Sequence, residues 1–175
     1  ILSTIRIAGT VNDSVVDGEG YRYSIFVQGC PHNCEGCHNP ATHDFDGGTL
    51  WEKDDFFKKV LQDIDENILL SGVTFSGGEP FCHAEALAEL AEKIHERGLD
   101  IWCYSGYTLE TLWQKAEEEP AVGRLLENID VLVDGPFIME QRDLELRFRG
   151  SDNQRLINMK KTREQGEIVL WGSKK

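Results

Sequence analysis

No apolar run in the sequence approaches the roughly 18 residues that a membrane-spanning helix needs. The opening stretch Ile1-Leu2-Ser3-Thr4-Ile5-Arg6 also lacks the basic and apolar regions of a secretory leader. A cytoplasmic location is the expectation, and the missing initiating Met implies that a few residues precede Ile1. Basic residues are scarce: 18 Lys and Arg stand against 31 Asp and Glu, for a net charge of −13. Such a chain repels phosphate backbones and anionic lipid, so neither nucleic acid nor a membrane is an expected partner. Cysteine is sparse and unevenly placed. Five residues, three of them within eight positions, make an odd and lopsided set for a disulfide framework and imply a reducing compartment. At 175 residues the chain is too short for a complete eight-fold βα barrel, which takes about 250 residues. It fits a single domain over 1–175.

The charge that is present is asymmetric. Residues 1–140 hold 9 Lys/Arg and 26 Asp/Glu, whereas residues 141–175 hold 9 and 5. The C-terminal segment is either a partner-docking surface or a compensated, solvated tail.

Periodicity divides the rest of the chain into alternating elements. Tyr23 to Gln28 is a β-branched and aromatic run, a strand that delivers Gly29-Cys30 at its C-terminal end. The loop from Pro31 to Gly48 is long for a compact domain, as functional loops often are. From Glu52 onward Phe56, Phe57, Val60, Leu61, Ile64 and Ile68 recur at helical spacing. Val73-Thr74-Phe75 reads as a strand broken by Gly77-Gly78-Glu79-Pro80, and Ala84, Leu87, Leu90, Ala91 and Ile94 mark a helix closed by Gly98. A third strand covers Leu99 to Tyr104. One or two helices interrupted at Pro120 cover Leu109 to Leu126, a fourth strand runs from Ile129 to Val133, and Glu167 to Trp171 makes a last strand. This alternation implies an α/β fold with mostly parallel strands, in which ligands bind at the C-terminal strand ends. At this length a barrel of that type is partial and open.

Those strand ends carry the residues suited to chemistry. Cys30, Cys34 and Cys37 offer a metal three soft ligands. A zinc site would need a fourth ligand, for which His32, His38 and His43 are candidates. An iron–sulfur cubane on three thiolates instead keeps one iron free for a small molecule. Gly77-Gly78 allows close backbone approach, and Glu79 adds a carboxylate. Ser105 and Asp134 follow the third and fourth strands as polar candidates, and Trp102, Tyr104 and Tyr107 are candidate pocket aromatics. Cys82 and Cys103 read as core or near-surface thiols, and His83 and His95 as exposed or capping residues on a helix.

Cys30 to Cys37, Gly77 to Pro80 and the βα repeat together resemble the radical S-adenosylmethionine enzymes. A closer likeness spans nearly the whole chain. It comprises Asp17-Gly18-Glu19-Gly20, Gly29-Cys30-Pro31, Cys37-His38-Asn39-Pro40, Tyr104-Ser105-Gly106-Tyr107, Leu132-Val133-Asp134-Gly135 and Arg149-Gly150-Ser151-Asp152-Asn153-Gln154-Arg155. This string resembles the activating proteins of anaerobic ribonucleoside-triphosphate reductases, and the stretch from Arg149 to Arg155 separates it from the similar but longer pyruvate formate-lyase activating enzymes.

The resemblance implies one 4Fe-4S cluster per chain on Cys30, Cys34 and Cys37, with S-adenosylmethionine chelating the open iron. Gly77, Gly78 and Glu79 would grip its methionine end, and Ser105 and Asp134 would add polar contacts. The backbone of Gly36, Cys37 and His38 would pack on adenine, because Gly36 stands where such enzymes often carry an aromatic residue. One electron would then release a 5′-deoxyadenosyl radical, which takes hydrogen from a backbone glycine of the reductase large subunit. A flavodoxin or ferredoxin is the implied electron donor. Residues 141–155, with Arg147, Arg149 and Arg155, are the implied docking segment. Two other readings stand beside this one: a small radical S-adenosylmethionine enzyme acting on pyruvate formate-lyase or a heterocycle, and a zinc-stabilised binding module.

Overall fold

A computed structural model describes residues 3–37 and 39–172. His38, a candidate adenine contact, lies outside the described residues. Seven strands form one sheet. At its centre β2 (Arg22–Val27), β4 (Gly72–Gly77), β5 (Asp100–Tyr104) and β6 (Val131–Asp134) pair in parallel, in that spatial order. β1 (Thr4–Ser14) runs antiparallel to β2, with β3 (Thr49–Glu52) antiparallel beyond it, and β7 (Arg155–Asn158) runs antiparallel to β6. The sheet is open, with β3 and β7 at its two edges. The parallel arrangement expected from the sequence is therefore confined to the four central strands.

Period-two alternation gives the sheet two different faces. Tyr23, Ile25, Val27, Val73, Phe75, Ile101, Cys103 and Leu132 point into the main core. There they meet Phe56, Val60 and Ile64 of α1 (Lys53–Glu66), Leu87, Leu90 and Ile94 of α2 (Ala84–His95), Leu109 and Leu112 of α3 (Leu109–Glu118) and Leu125 of α4 (Pro120–Glu127). The alternate residues, Arg22, Ser24, Phe26, Thr74, Ser76, Trp102 and Tyr104, face the other side, which no long helix among the described residues covers. Two irregular segments fold over part of it. The turn at 14–20 does so through Asp17, which accepts from Ser14 Oγ (2.6 Å) and Ser24 Oγ (2.9 Å). The segment around Phe148 does so by packing its ring on Trp102 and Trp171. Arg22, fully buried, is held in this layer by Thr74 Oγ1 (2.7 Å), the Glu19 and Val73 carbonyls and the Asp100 carboxylate (2.6 Å).

Several sequence expectations shift. α1 stops at Glu66, so Ile68 is not part of its buried face and is 93% exposed. Asn67 ends the helix: its side-chain oxygen accepts from Leu69 N–H, closing a turn that competes with helix continuation. The last strand is β7, not 167–171, where Leu170 makes only an isolated bridge to Ile157 after α5 (Met159–Gln165). The break at Pro120 falls between α3 and α4, as expected.

Candidate active site

The C-terminal end of β2 delivers the cysteine loop. Gly29 takes a left-handed conformation (φ 107°) and donates to Thr42 O at 2.7 Å, while Cys30 N–H reaches His43 O at 3.2 Å. Gln28 ties down the far limb through bonds to the Ala41 and Asp44 carbonyls at 2.9 and 2.7 Å. Asn33 (φ 49°) and Gly36 (φ 74°) curl the segment between the cysteines. Cys30, Cys34 and Cys37 are all free thiols, partly buried, and they line one wall of a cavity of about 1270 Å³. Asn39 N–H donates to Cys37 Sγ at 3.4 Å. Burial pushes the Cys30 thiol up, with the negative charges of Glu79, Cys34 and Cys37 adding to it and the His32 N–H opposing it. Binding of a metal would displace that proton.

Among the described residues, no three His, Cys, Asp or Glu side chains converge tightly enough to hold a single ion. Three free thiols on one cavity wall are the soft donor set that an iron–sulfur cluster takes. The donor set fits the cluster, and Gly77 and Gly78 line the same cavity, each held to glycine by close approach of the backbone at the end of β2. A Cβ on Gly78 would stand 2.3 Å from Gly29 O, and one on Gly77 would stand 2.6 Å from the Val27 backbone.

The Glu79 side chain sits behind the cavity wall. Its carboxylate is fully buried and does not line the cavity. It accepts from Ser105 Oγ at 3.0 Å to each oxygen, from Gly106 N–H at 2.8 Å, from Phe81 N–H at 3.0 Å, and lies 2.6 Å from His32 Nε2. Every one of these partners is a protein donor, so Glu79 acts as a hub behind the wall that joins the ends of β2, β4 and β5. Ser105 lines the cavity in front of it, as do Gly77 and Gly78.

Asp134, a candidate for either a polar contact or a turn, holds the strand end. It too is buried and off the cavity wall: it accepts from Leu109 N–H (2.8 Å) at the start of α3 and pairs with both Nε (3.0 Å) and Nη2 of Arg155. Arg155 also pairs with Glu110, so two carboxylates brace its guanidinium. Gly36 lies outside the cavity lining, with Met139 and Phe137 against its Cα. Arg147 and Arg149 do line the cavity. Arg149 donates to the Asp152 and Gln154 carbonyls, and Arg147 lies 4.5 Å over the Phe148 ring. Tyr104 lines it too, its hydroxyl donating to Phe148 O at 2.6 Å, with burial raising its phenol far above the ordinary value. Trp102 and Tyr107 do not line it. Cys103 is a core thiol, and Cys82 is exposed. His83 is half-buried with Nε2 at 2.8 Å from Gln28 O, and His95 pairs with Asp130 at 3.0 Å.

From the sequence His32 reads only as a metal candidate, and its contact with Glu79 emerges from the fold. The available signal was its place inside the cysteine spacing.

The 4Fe-4S single cluster domain family matches residues 16–157. Among curated proteins, the anaerobic ribonucleoside-triphosphate reductase-activating protein of Haemophilus influenzae is 37% identical over 145 residues, covering 80% of this chain and 89% of that protein. The protein of the same name from Vibrio cholerae is 39% identical over the same shares. The chain belongs to this family. The reading extends to a phage: the activating protein of Enterobacteria phage T4 is 32% identical, covering 81% of this chain and 86% of its own length. QueE from Escherichia coli, a solved structure, matches 60% of this chain and 54% of its own at 16% identity and a TM-score of 0.45, a likeness too slight to carry weight. No described helix is long and apolar enough to cross a membrane.

Proposed function

We propose that this chain is a radical S-adenosylmethionine activating enzyme, one domain over 1–175, that places a glycyl radical on the large subunit of an anaerobic ribonucleoside-triphosphate reductase. The observation that carries the reading is the cavity: three free thiols share its lining with Gly77, Gly78 and the Phe26, Ser76 and Tyr104 face of the sheet. When bound on Cys30, Cys34 and Cys37, the cluster supplies the single electron that splits the sulfonium carbon–sulfur bond, so that a hydrogen atom can be taken from glycine.

The protein's part is binding, orientation and exclusion of water. Gly77 and Gly78 let the methionine end of the cosubstrate approach backbone. Ser105 presents a hydroxyl fixed by Glu79, which holds the wall rigid from behind. The cavity exceeds the roughly 300–1,000 Å³ of a small-molecule site, which leaves room for a polypeptide segment beside S-adenosylmethionine. A macromolecular substrate fits an open sheet better than a closed barrel. The electron donor is a flavodoxin or ferredoxin, and the compartment is the cytoplasm.

The test is electron paramagnetic resonance of an anaerobic mixture of reconstituted protein, reductant, S-adenosylmethionine and the reductase. A glycine-centred doublet on the reductase is expected. Cosubstrate cleavage with no doublet would move the target elsewhere. A colourless protein that takes up neither iron nor sulfide would leave the zinc module standing.

A further inference from the structure

His32 lies between two of the thiols, yet its side chain is committed away from them. Nε2 is 2.6 Å from Glu79 Oε1, a hydrogen bond in which the tautomer protonated at Nε2 donates to the carboxylate oxygen. The ring packs edge-on against Tyr107 at 4.4 Å between centroids, and it occupies the space above Gly106, where a Cβ would stand 2.4 Å from the imidazole. The other donors to Glu79 come from the end of β5, namely Ser105 and Gly106, or from its own turn, Phe81. Among the described residues His32 is the side chain of the cysteine loop that bonds to the Glu79 carboxylate, while the Glu79 N–H separately donates to Gly29 O at 2.8 Å, just before Cys30.

We infer that His32 is a positioning residue: its side chain anchors the loop on Glu79 and so fixes the sulfur of Cys30 relative to the glycine wall. The inference rests on the cluster reading given above. The groups that orient a metal's ligands tune the metal they hold. Without the anchor, the loop keeps its three thiols but loses their fixed placement.

The test compares His32→Ala with His32→Gln, whose amide reaches as far as Nε2 and also donates. Iron and sulfide uptake, the reduction midpoint of the cluster and the kinetics of S-adenosylmethionine cleavage are measured on each. His32→Ala is expected to load the cluster with a lowered midpoint, and to cleave about 10–100-fold more slowly. Its kcat should fall more than its KM rises, and His32→Gln should recover most of the loss. If His32→Ala fails to load while His32→Gln loads, the anchor is equally supported. If His32→Ala loads and keeps the wild-type midpoint and rate, or if the Gln variant is as impaired as Ala, the positioning role is overturned. Wild-type protein that takes up no iron would overturn the cluster reading and this inference with it, so the two failures are distinct.

Discussion

Glu79 shows how a single buried charge can organise a site without touching its ligand. Two hydroxyl contacts, two backbone N–H groups and an imidazole converge on one carboxylate with no exposure to solvent. Glu79→Gln keeps the shape but turns one acceptor oxygen into a donor that faces other donors. A buried donor left without an acceptor costs roughly 1–3 kcal/mol. Denaturant unfolding should register a loss of that size in the metal-free protein, where no cofactor contact can contribute. An unchanged midpoint would mean that water or side-chain movement satisfies the orphaned donors, and that the hub is less rigid than its geometry implies.

Among elements, a comparable junction joins the C-terminal end of α2 to the sheet. His95 donates to Asp130, which also accepts from Ile101 N–H at the start of β5. The bond to Asp130 raises the His95 pKa above its ordinary 6.5. Burial alone would raise Asp130, but the bonds from His95 and Ile101 outweigh it and hold the carboxyl below its ordinary 3.8. A raised histidine stabilises the fold fully below 6.5 and loses that contribution as pH climbs through its folded value. A lowered carboxyl stabilises above 3.8 and loses its share as pH falls. The pair is therefore most stabilising between these limits. His95→Gln should lose less stability than wild type when pH rises from about 6 to about 8.5. Since His95 is a third exposed, the difference stays within about 1 kcal/mol. Parallel curves for the two proteins over that range would remove His95 from the pH dependence.

This junction was only half legible in the sequence, and the reason is general. The central strands and the helices announced themselves because their periodicity is local. Pro120 broke the third helical region where it does because proline ends a helix whatever surrounds it. The edge strands β3 and β7, four residues each, owe their existence to partners far along the chain. Ile68 looked like core because spacing cannot reveal that the Asn67 side chain closes the helix first. The same limit applied in the site. The three cysteines and the two glycines were readable as neighbours in sequence, whereas Glu79 and Asp134 read as cavity acids, and only the turn after β4 and the register of β6 place them behind the wall.

For the whole molecule, charge distribution bears on the partner. Net charge is −13, yet residues 141–175 carry 9 basic and 5 acidic residues. The structure sorts these arginines by role. Arg155 is internal bracing: replacing it with Glu sets a carboxylate against Asp134, which is 1% exposed, and against Glu110. Breaking a buried pair in this way costs roughly 3–5 kcal/mol, so Arg155→Glu should fail by unfolding. Arg147 is exposed at the cavity mouth, stacked on Phe148, whose left-handed backbone (φ 66°) is held by the Tyr104 hydroxyl and the Trp102 and Trp171 rings. A charge so placed steers association more than it stabilises the fold. Arg147→Glu should keep its melting temperature and slow glycyl radical formation on the reductase more than it slows cosubstrate cleavage. The gap should narrow as salt approaches about 1 M, where the screening length falls to about 3 Å. A gap that ignores salt would place the effect of Arg147 inside the cavity, on the path of the substrate segment, and a missing gap would move the docking surface elsewhere on the chain.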